Sequence, residues 1–371
     1  MTRASYLAVG ALVAACTGDD VSRIAPLDAS AVDSSMTGTD ASNGDAGILV
    51  RVNRTDLVVD EGNGGAARVD PNLVNPWGLA ISPSGSVWTV DNGRGLVTPY
   101  GPSGASSGTT IAISGPGGAG QGTPSGEVLN STSGAFEGDT LIVATEDGTI
   151  AGWQSGATAT LRVDESANGA VFKGADILES PTGRTLVVAN FNAGTLEVFD
   201  STYAPVALSP EAFADPGLTA GFAPFNVLVS GSNVFVAYAK QDAMKHDGEA
   251  GPGNGLIDVF DETGVFLRRL VTAGDLNSPW GLALAPADYS LLAGSLLVGN
   301  FGNGTILAFD PATGAPRGQL VDASGALFSL EGLWGLHFGQ DQAMEAHTQL
   351  FFTAGPGDEA HGVFGRLDLA L

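Results

Sequence analysis

The sequence predicts an all-β chain assembled from repeated antiparallel units, and three observations carry that expectation. An apolar strand, a Gly-centred turn and a second strand often ending in Phe-Asp recur six times. Glycine is abundant, 54 of 371 residues, while hydrophobic residues make up 43% of the chain. Few windows sustain a 3.6-residue apolar period, whereas short β-rich runs bounded by Gly, Asn, Asp and Pro recur throughout.

The units are Ser86–Tyr100, Thr140–Trp153, Thr185–Asp200, Asn233–Asp261, Ser295–Asp310 and Gln349–Asp368, the fourth with a long insertion. A further apolar strand precedes each: NPWGLAIS (Asn75–Ser82), TPSGEVLN (Thr123–Asn130), FKGADILE (Phe172–Glu179), APFNVLVS (Ala223–Ser230), SPWGLALA (Ser278–Ala285) and GLWGLHFG (Gly332–Gly339). Fourth strands are expected at Thr109–Ser114, Thr160–Asp164, Phe266–Thr272 and Gly318–Asp322. Four antiparallel strands repeated at this spacing give a six-bladed β-propeller, which leaves few sheet edges unpaired. The sixth unit lacks a fourth strand of its own, and Ile48–Val59 is expected to supply it and close the ring. An open solenoid would need atypical end repeats, and a two-sheet sandwich would not repeat at this length.

The first sixteen residues read as a targeting signal. Arg3 is followed by an apolar stretch, Tyr6–Ala14, and Leu12-Val13-Ala14-Ala15-Cys16 resembles a bacterial lipobox. Cys16 is the sole cysteine, so the expected lipidation there leaves no intramolecular disulfide. An ordinary cleaved signal peptide is the alternative. Residues 17–47, rich in Ser, Thr, Asp and Ala, read as a flexible tether before a 48–371 propeller. These features predict an exported cell-envelope protein, an outer-membrane lipoprotein facing periplasm or exterior. Membrane contact is expected through the lipid anchor only, and the chain is expected to be a monomer.

A net charge of −25 with only three lysines repels phosphate backbones, so nucleic acid is excluded as a partner. No GxSxG elbow supports a serine nucleophile, and Gly115–Gly122 lacks the context of a phosphate loop.

The turns between the second and third strands and those entering the first strand share one face, around the channel mouth. The insertion there carries Lys240, Asp242, Lys245, His246 and Asp247, and the sixth-unit turn carries Glu359 and His361. Lys, His and Asp together could orient an anionic ligand, relay a proton or ligate a metal; equally, they could tie down a lid by local hydrogen bonds. His246 and His361 could approach across the mouth with Asp247 or Glu359, although no HxH or HExxH spacing is present. Asp91, Glu146, Asn190 and Asn300 end their strands at equivalent phase and could supply oxygen ligands to a divalent cation such as Ca²⁺. Plain turn chemistry explains the same residues. Trp77, Trp280 and Trp334 recur at one position, which favours packing between units over ligand stacking.

NPWGLA (Asn75–Ala80), ATEDGTIAGW (Ala144–Trp153), YAKQDAMKHD (Tyr238–Asp247), AGPGNG (Ala250–Gly255), LLVGNFGNG (Leu296–Gly304) and GLWGLHFG (Gly332–Gly339) together resemble a family of exported bacterial propeller proteins. The family has no established activity, and some members carry a C-terminal PEP-CTERM sorting signal. This chain shows a lipobox and no such segment before Leu371. More distantly the repeats are similar to NHL and gluconolactonase-like six-bladed propellers, a likeness that implies either binding modules or metal-dependent lactone hydrolases with a site at the mouth. The expected function is ligand, glycan or protein binding through the loop face. The alternative is a divalent-metal-dependent hydrolase or lyase in which His246 or Lys240 serves as acid or base.

Overall fold

A computed structural model describes residues 47–62, 64–180, 183–342 and 345–370. The targeting segment, Cys16 and the tether up to residue 46 lie outside them. The described chain is all-β, with a few single-turn 3₁₀ segments. None of its helices is long and apolar enough to cross a membrane.

Strand β1 (Ile48–Val59) and the short β2 (Arg68–Val69) precede the repeats. The first sheet holds β3 (Pro76–Ile81), β4 (Val87–Asp91), β5 (Leu96–Tyr100) and β6 (Ile111–Ala112). The second holds β7 (Pro124–Leu129), β8 (Leu141–Thr145), β9 (Thr149–Trp153) and β10 (Thr160–Asp164). The third has three strands, β11 (Phe172–Ser180), β12 (Gly183–Asn190) and β13 (Thr195–Asp200). The fourth contains β14 (Phe222–Ser230), β15 (Asn233–Lys240), β16 (Gly255–Asp261) and β17 (Phe266–Thr272). The remaining strands are β18 (Pro279–Leu284), β19 (Leu296–Asn300), β20 (Ile306–Phe309), β21 (Pro316–Val321), β22 (Leu333–Phe338), β23 (Leu350–Ala354) and β24 (Val363–Leu369). β1 joins these into one sheet, running parallel to β21 and antiparallel to β24, with Val52 opposite Leu369.

Fourth strands form at the expected residues in β10 and β17, and within the expected stretch in β6. β21 begins two residues earlier than expected. Among the described residues the third sheet has no fourth strand. Its outer segment carries Pro205, Pro210 and Pro216, each lacking the N–H a ladder requires.

Register makes the inner strands superimposable. Pro76, Pro124, Phe172, Pro279 and Leu333 each pair with the residue ending the next strand, Pro224 with a residue two short of that end, and each pairing is followed by a register shift. The glycine after the shift lets neighbouring inner strands touch. A Cβ on Gly126 would lie 2.4 Å from the Lys173 carbonyl oxygen, and one on Gly335 would lie 2.8 Å from that of Trp77. In the fourth unit Asn226 replaces this glycine, and its Nδ2 donates to the Trp280 carbonyl at 2.8 Å.

Apolar clusters fill the space between successive sheets. Val90, Val97, Val143 and Ala151 join the first and second sheets, and Phe172, Leu186 and Phe199 meet Ile142 and Ile150 between the second and third. Burial of each such large side chain stabilises the fold by roughly 1.5–3 kcal/mol. Phe364 stacks between Tyr100 and Phe351, with centroids 5.7 and 5.9 Å away, so that residues near the C-terminus pack on the first sheet.

Candidate functional site

The residue after each paired inner-strand position forms a central layer: Trp77, Ser125, Lys173, Phe225, Trp280 and Trp334. Trp77 stacks on Trp334 at 3.7 Å, and Trp280 meets both edge-on at 5.0 and 5.5 Å. Phe225 abuts Trp280 at 5.1 Å, and Phe301 stacks on Trp334 at 3.9 Å. The three tryptophans are thus packing residues at the centre, as their recurrence implied, and they form a floor.

Lys173 breaks this layer. It is fully buried, and its ammonium lies 4.6 Å from the Trp77 centroid and 5.7 Å from those of Phe191 and Phe225. A charge in such surroundings needs partners. Nζ donates to Glu146 Oε1 in a very short contact and to Asp247 Oδ1 at 3.0 Å.

Glu146 Oε2 also accepts from Asn92 Nδ2 at 2.7 Å. Asn75 Nδ2 donates to Glu359 Oε2 at 2.5 Å, and Asn75 Oδ1 accepts from Trp334 Nε1 at 3.0 Å. Asp247 Oδ2 lies 3.0 Å from His246 Nδ1, and that nitrogen is 4.0 Å from Glu146 Oε1. Side chains from five of the six units therefore converge above the aromatic floor, with His246 half-exposed at the rim.

The electrostatics follow from these contacts. Hydrogen bonding to Asp247 raises the His246 pKa above its ordinary value, with burial and the Lys173 charge opposing. Burial pushes Asp247 upward, but the hydrogen bond to His246 and the Lys173 charge outweigh it and hold the carboxyl well below the usual range. Burial raises Glu359, partly offset by the Asn75 hydrogen bond.

The remaining anticipated residues are placed elsewhere. Lys240 pairs with Glu249 at 2.5 Å, both half-exposed. Asp242 Oδ1 accepts from the His246 backbone N–H at 2.8 Å and so fastens the loop, while Lys245 is exposed at φ 56°. His361 meets Asp60 at 3.0 Å and Glu61 at 3.6 Å where β1 ends beside β24, and does not join His246. Asp91 is fully buried and accepts from Thr89 and Thr98 hydroxyls at 3.0 and 2.5 Å. Asn190 bonds Glu197 and the turn N–H of Ala193; Asn300 bonds Asp275 and Thr305. Of the four strand-end residues, Glu146 alone takes part in the mouth cluster. Turn and strand hydrogen bonding account for the other three.

An acidic cluster with a histidine is present: Glu146, His246 and Asp247 can bring ligand atoms within 4.8 Å of one another. It does not fit a divalent cation as it stands, because the Lys173 ammonium already bridges Glu146 and Asp247. The lysine escaped sequence analysis because FKGADILE reads as an ordinary inner strand. The available signal was its phase, since Lys173 occupies the tryptophan position of NPWGLA and SPWGLA.

Fold and mouth together define a β-propeller. Over 86% of this chain and 99% of the other it resembles virginiamycin B lyase from Staphylococcus aureus, with a TM-score of 0.50 and 10% identity. A gluconolactonase from Xanthomonas campestris aligns over 67% of this chain and 86% of its own at a TM-score of 0.41 and 17% identity. In sequence the chain is 29% identical over 319 residues to uncharacterized protein R648 of Acanthamoeba polyphaga mimivirus, covering 81% of this chain and 76% of that protein. It is 28% identical over 320 residues to uncharacterized protein L690 of the same virus, covering 81% and 82%. No protein-family model matches the chain. The structural likenesses are those of fold alone, and the bacterial family and its sorting signals find no support among these relatives.

Proposed function

We propose that this chain is an exported, lipid-anchored propeller of six blades that binds a hydroxyl-rich small molecule or glycan in the cup at the channel mouth. Support for the blade count comes from the six superimposable inner strands, and support for closure from β1 pairing with β24 and from Gly335 lying against Trp77. The observation that carries the binding reading is the convergence of Asn75, Asn92, Glu146, Lys173, Asp247 and Glu359 over an aromatic floor. Dense, fixed acceptors and donors above apolar rings suit polyhydroxylated ligands, which present hydroxyl edges and C–H faces together. His246, exposed and oriented by Asp247, is placed to contact such a ligand.

A glycan array probed with the purified propeller tests this reading. We expect His246→Ala and Glu359→Gln each to weaken binding at least tenfold; retention of affinity by both variants would remove the mouth from the reading. Export is tested separately by Cys16→Ser, which should release the protein from membranes.

The second reading is a lactonase-like hydrolase or lyase, favoured by the Glu146, His246 and Asp247 cluster. Ca²⁺ would have to displace the Lys173 ammonium, so we expect no thermal shift of the native chain with Ca²⁺, Mn²⁺ or Zn²⁺. A shift with any of them would favour this second reading.

A further inference from the structure

On the other side of the aromatic layer the inner strands enclose a second space. This cavity, of about 270 Å³, is bordered by residues of all six inner strands, with Trp280 among its walls. Aliphatic residues including Leu79, Ile81, Leu282 and Leu336 line it alongside polar surface. Three charged or titratable side chains also border it: Glu127, Asp176 and His337. No lysine or arginine does.

These three residues depart from their equivalents in the other units. Glu127 stands where Leu79, Ala175, Val227, Leu282 and Leu336 stand in the other inner strands, and Asp176 and His337 stand one step further along. Nothing in the fold demands a carboxyl at either place. Both Glu127 oxygens are buried and lack a hydrogen-bond partner of good geometry, although the Ala80 backbone weakly favours the charged carboxyl. A buried acid left so costs free energy unless something supplies a donor. Asp176 accepts backbone N–H bonds from Val229 and Ile177 at 2.7 Å each, which fixes its carboxyl at the cavity wall. His337 Nδ1 lies 2.6 Å from the Phe338 carbonyl, so it carries the hydrogen and Nε2 is an acceptor.

We propose that this cavity is a second binding site, distinct from the mouth, for a small organic ammonium with a short apolar tail. The sign of the lining selects a cation. Glu127, Asp176 and His337 offer acceptors, and aliphatic residues such as Leu79, Leu282 and Leu336 suit a short hydrocarbon tail. A bare metal ion fits less well, because these three groups do not converge within 4.8 Å as the mouth cluster does. The volume matches about nine water-sized groups, enough for an amine with several carbons. Burial drives the Glu127 carboxyl well above its ordinary pKa, with the Asp91 charge adding to it, and an ammonium beside it would restore its charge.

The test is calorimetric titration of the purified protein with n-hexylamine and with 1-hexanol at physiological salt. The amine is expected to bind at least tenfold more tightly than the alcohol. Glu127→Gln should weaken the amine at least tenfold, and His246→Ala at the mouth should leave it unchanged. Equal affinity for amine and alcohol, or full amine affinity in Glu127→Gln, would overturn the proposal. Loss of amine binding in His246→Ala would also overturn it by assigning the amine to the mouth. Should Glu127→Gln fail to fold, the His337 ring proton resonances of the native protein decide. They are expected to shift on amine titration, and unmoved resonances would overturn the proposal.

Discussion

The ammonium of Lys173 lies 4.6 Å from the ring centroid of Trp77, in the same layer of the propeller and at the equivalent inner-strand position. A cation thus replaces an aromatic ring in a stack that is otherwise apolar but for Ser125, and it is held there by Glu146 and Asp247. Removing one member of a buried ion pair leaves the others uncompensated, at about 3–5 kcal/mol. Lys173→Met is therefore expected to lose stability of that order in denaturant titration. It should also gain a Ca²⁺-dependent rise in melting temperature that the native chain lacks, since the vacated position lies between two carboxylates.

The His246–Asp247 pair has a defined pH window. His246 is raised, so its contribution is complete below its ordinary pKa of about 6.5 and is lost as pH rises through the folded value. Asp247 is lowered, so its contribution is present above about 3.9 and is lost as pH falls through the folded value. The pair therefore contributes most between about pH 4 and 6.5. Proton NMR titration of His246 should give a pKa above 6.5 in the native chain, and Asp247→Asn should lower it. An unchanged value in the variant would break the assignment.

Trp334 combines stacking on Trp77 and Phe301 with a hydrogen bond to Asn75, so it ties the floor to the polar cup. Trp334→Ala is expected to cost about 3–5 kcal/mol through the cavity it leaves. It should also weaken any mouth ligand, because the Asn75 oxygen loses its donor. Denaturant unfolding and ligand titration of the same variant measure the two effects.

Lys240 offers a contrast. Its exposed pair with Glu249 lies in high dielectric, where such contacts contribute about 0–1 kcal/mol. Lys240→Ala should leave both stability and mouth binding close to native. A large loss in either assay would place the residue nearer the ligand than its present geometry does.

Much of this was legible in the chain because strand and turn chemistry repeat. The spacing of NPWGLA-type strands, Gly-centred turns and Phe-Asp endings located β10 and β17 to the residue, along with the long insertion that delivers His246 and Asp247. Hydrogen-bond partners were less legible. Asp91 and Asn300 resemble channel-lining oxygens in sequence, yet Thr89 and Thr98 claim the first, and Asp275 and Thr305 the second. Those partners follow from cross-strand register, which a turn motif does not encode. Lys173 and Glu127 were missed for another reason: an inner strand reads as apolar as a whole, and a single charged residue matters only once all six copies are aligned by pairing.

Strand β1 is made first and used last. Val52 finds Leu369, and Val59 finds Val363, across more than three hundred residues of intervening chain. Its other neighbour, β21, also arrives late. Throughout synthesis of the first four sheets its only strand partner among the described residues is the two-residue β2, and the final docking must close a very long loop. Completion is therefore a late event on which the last sheet depends, and the nascent chain carries an incompletely paired strand until β24 has been made.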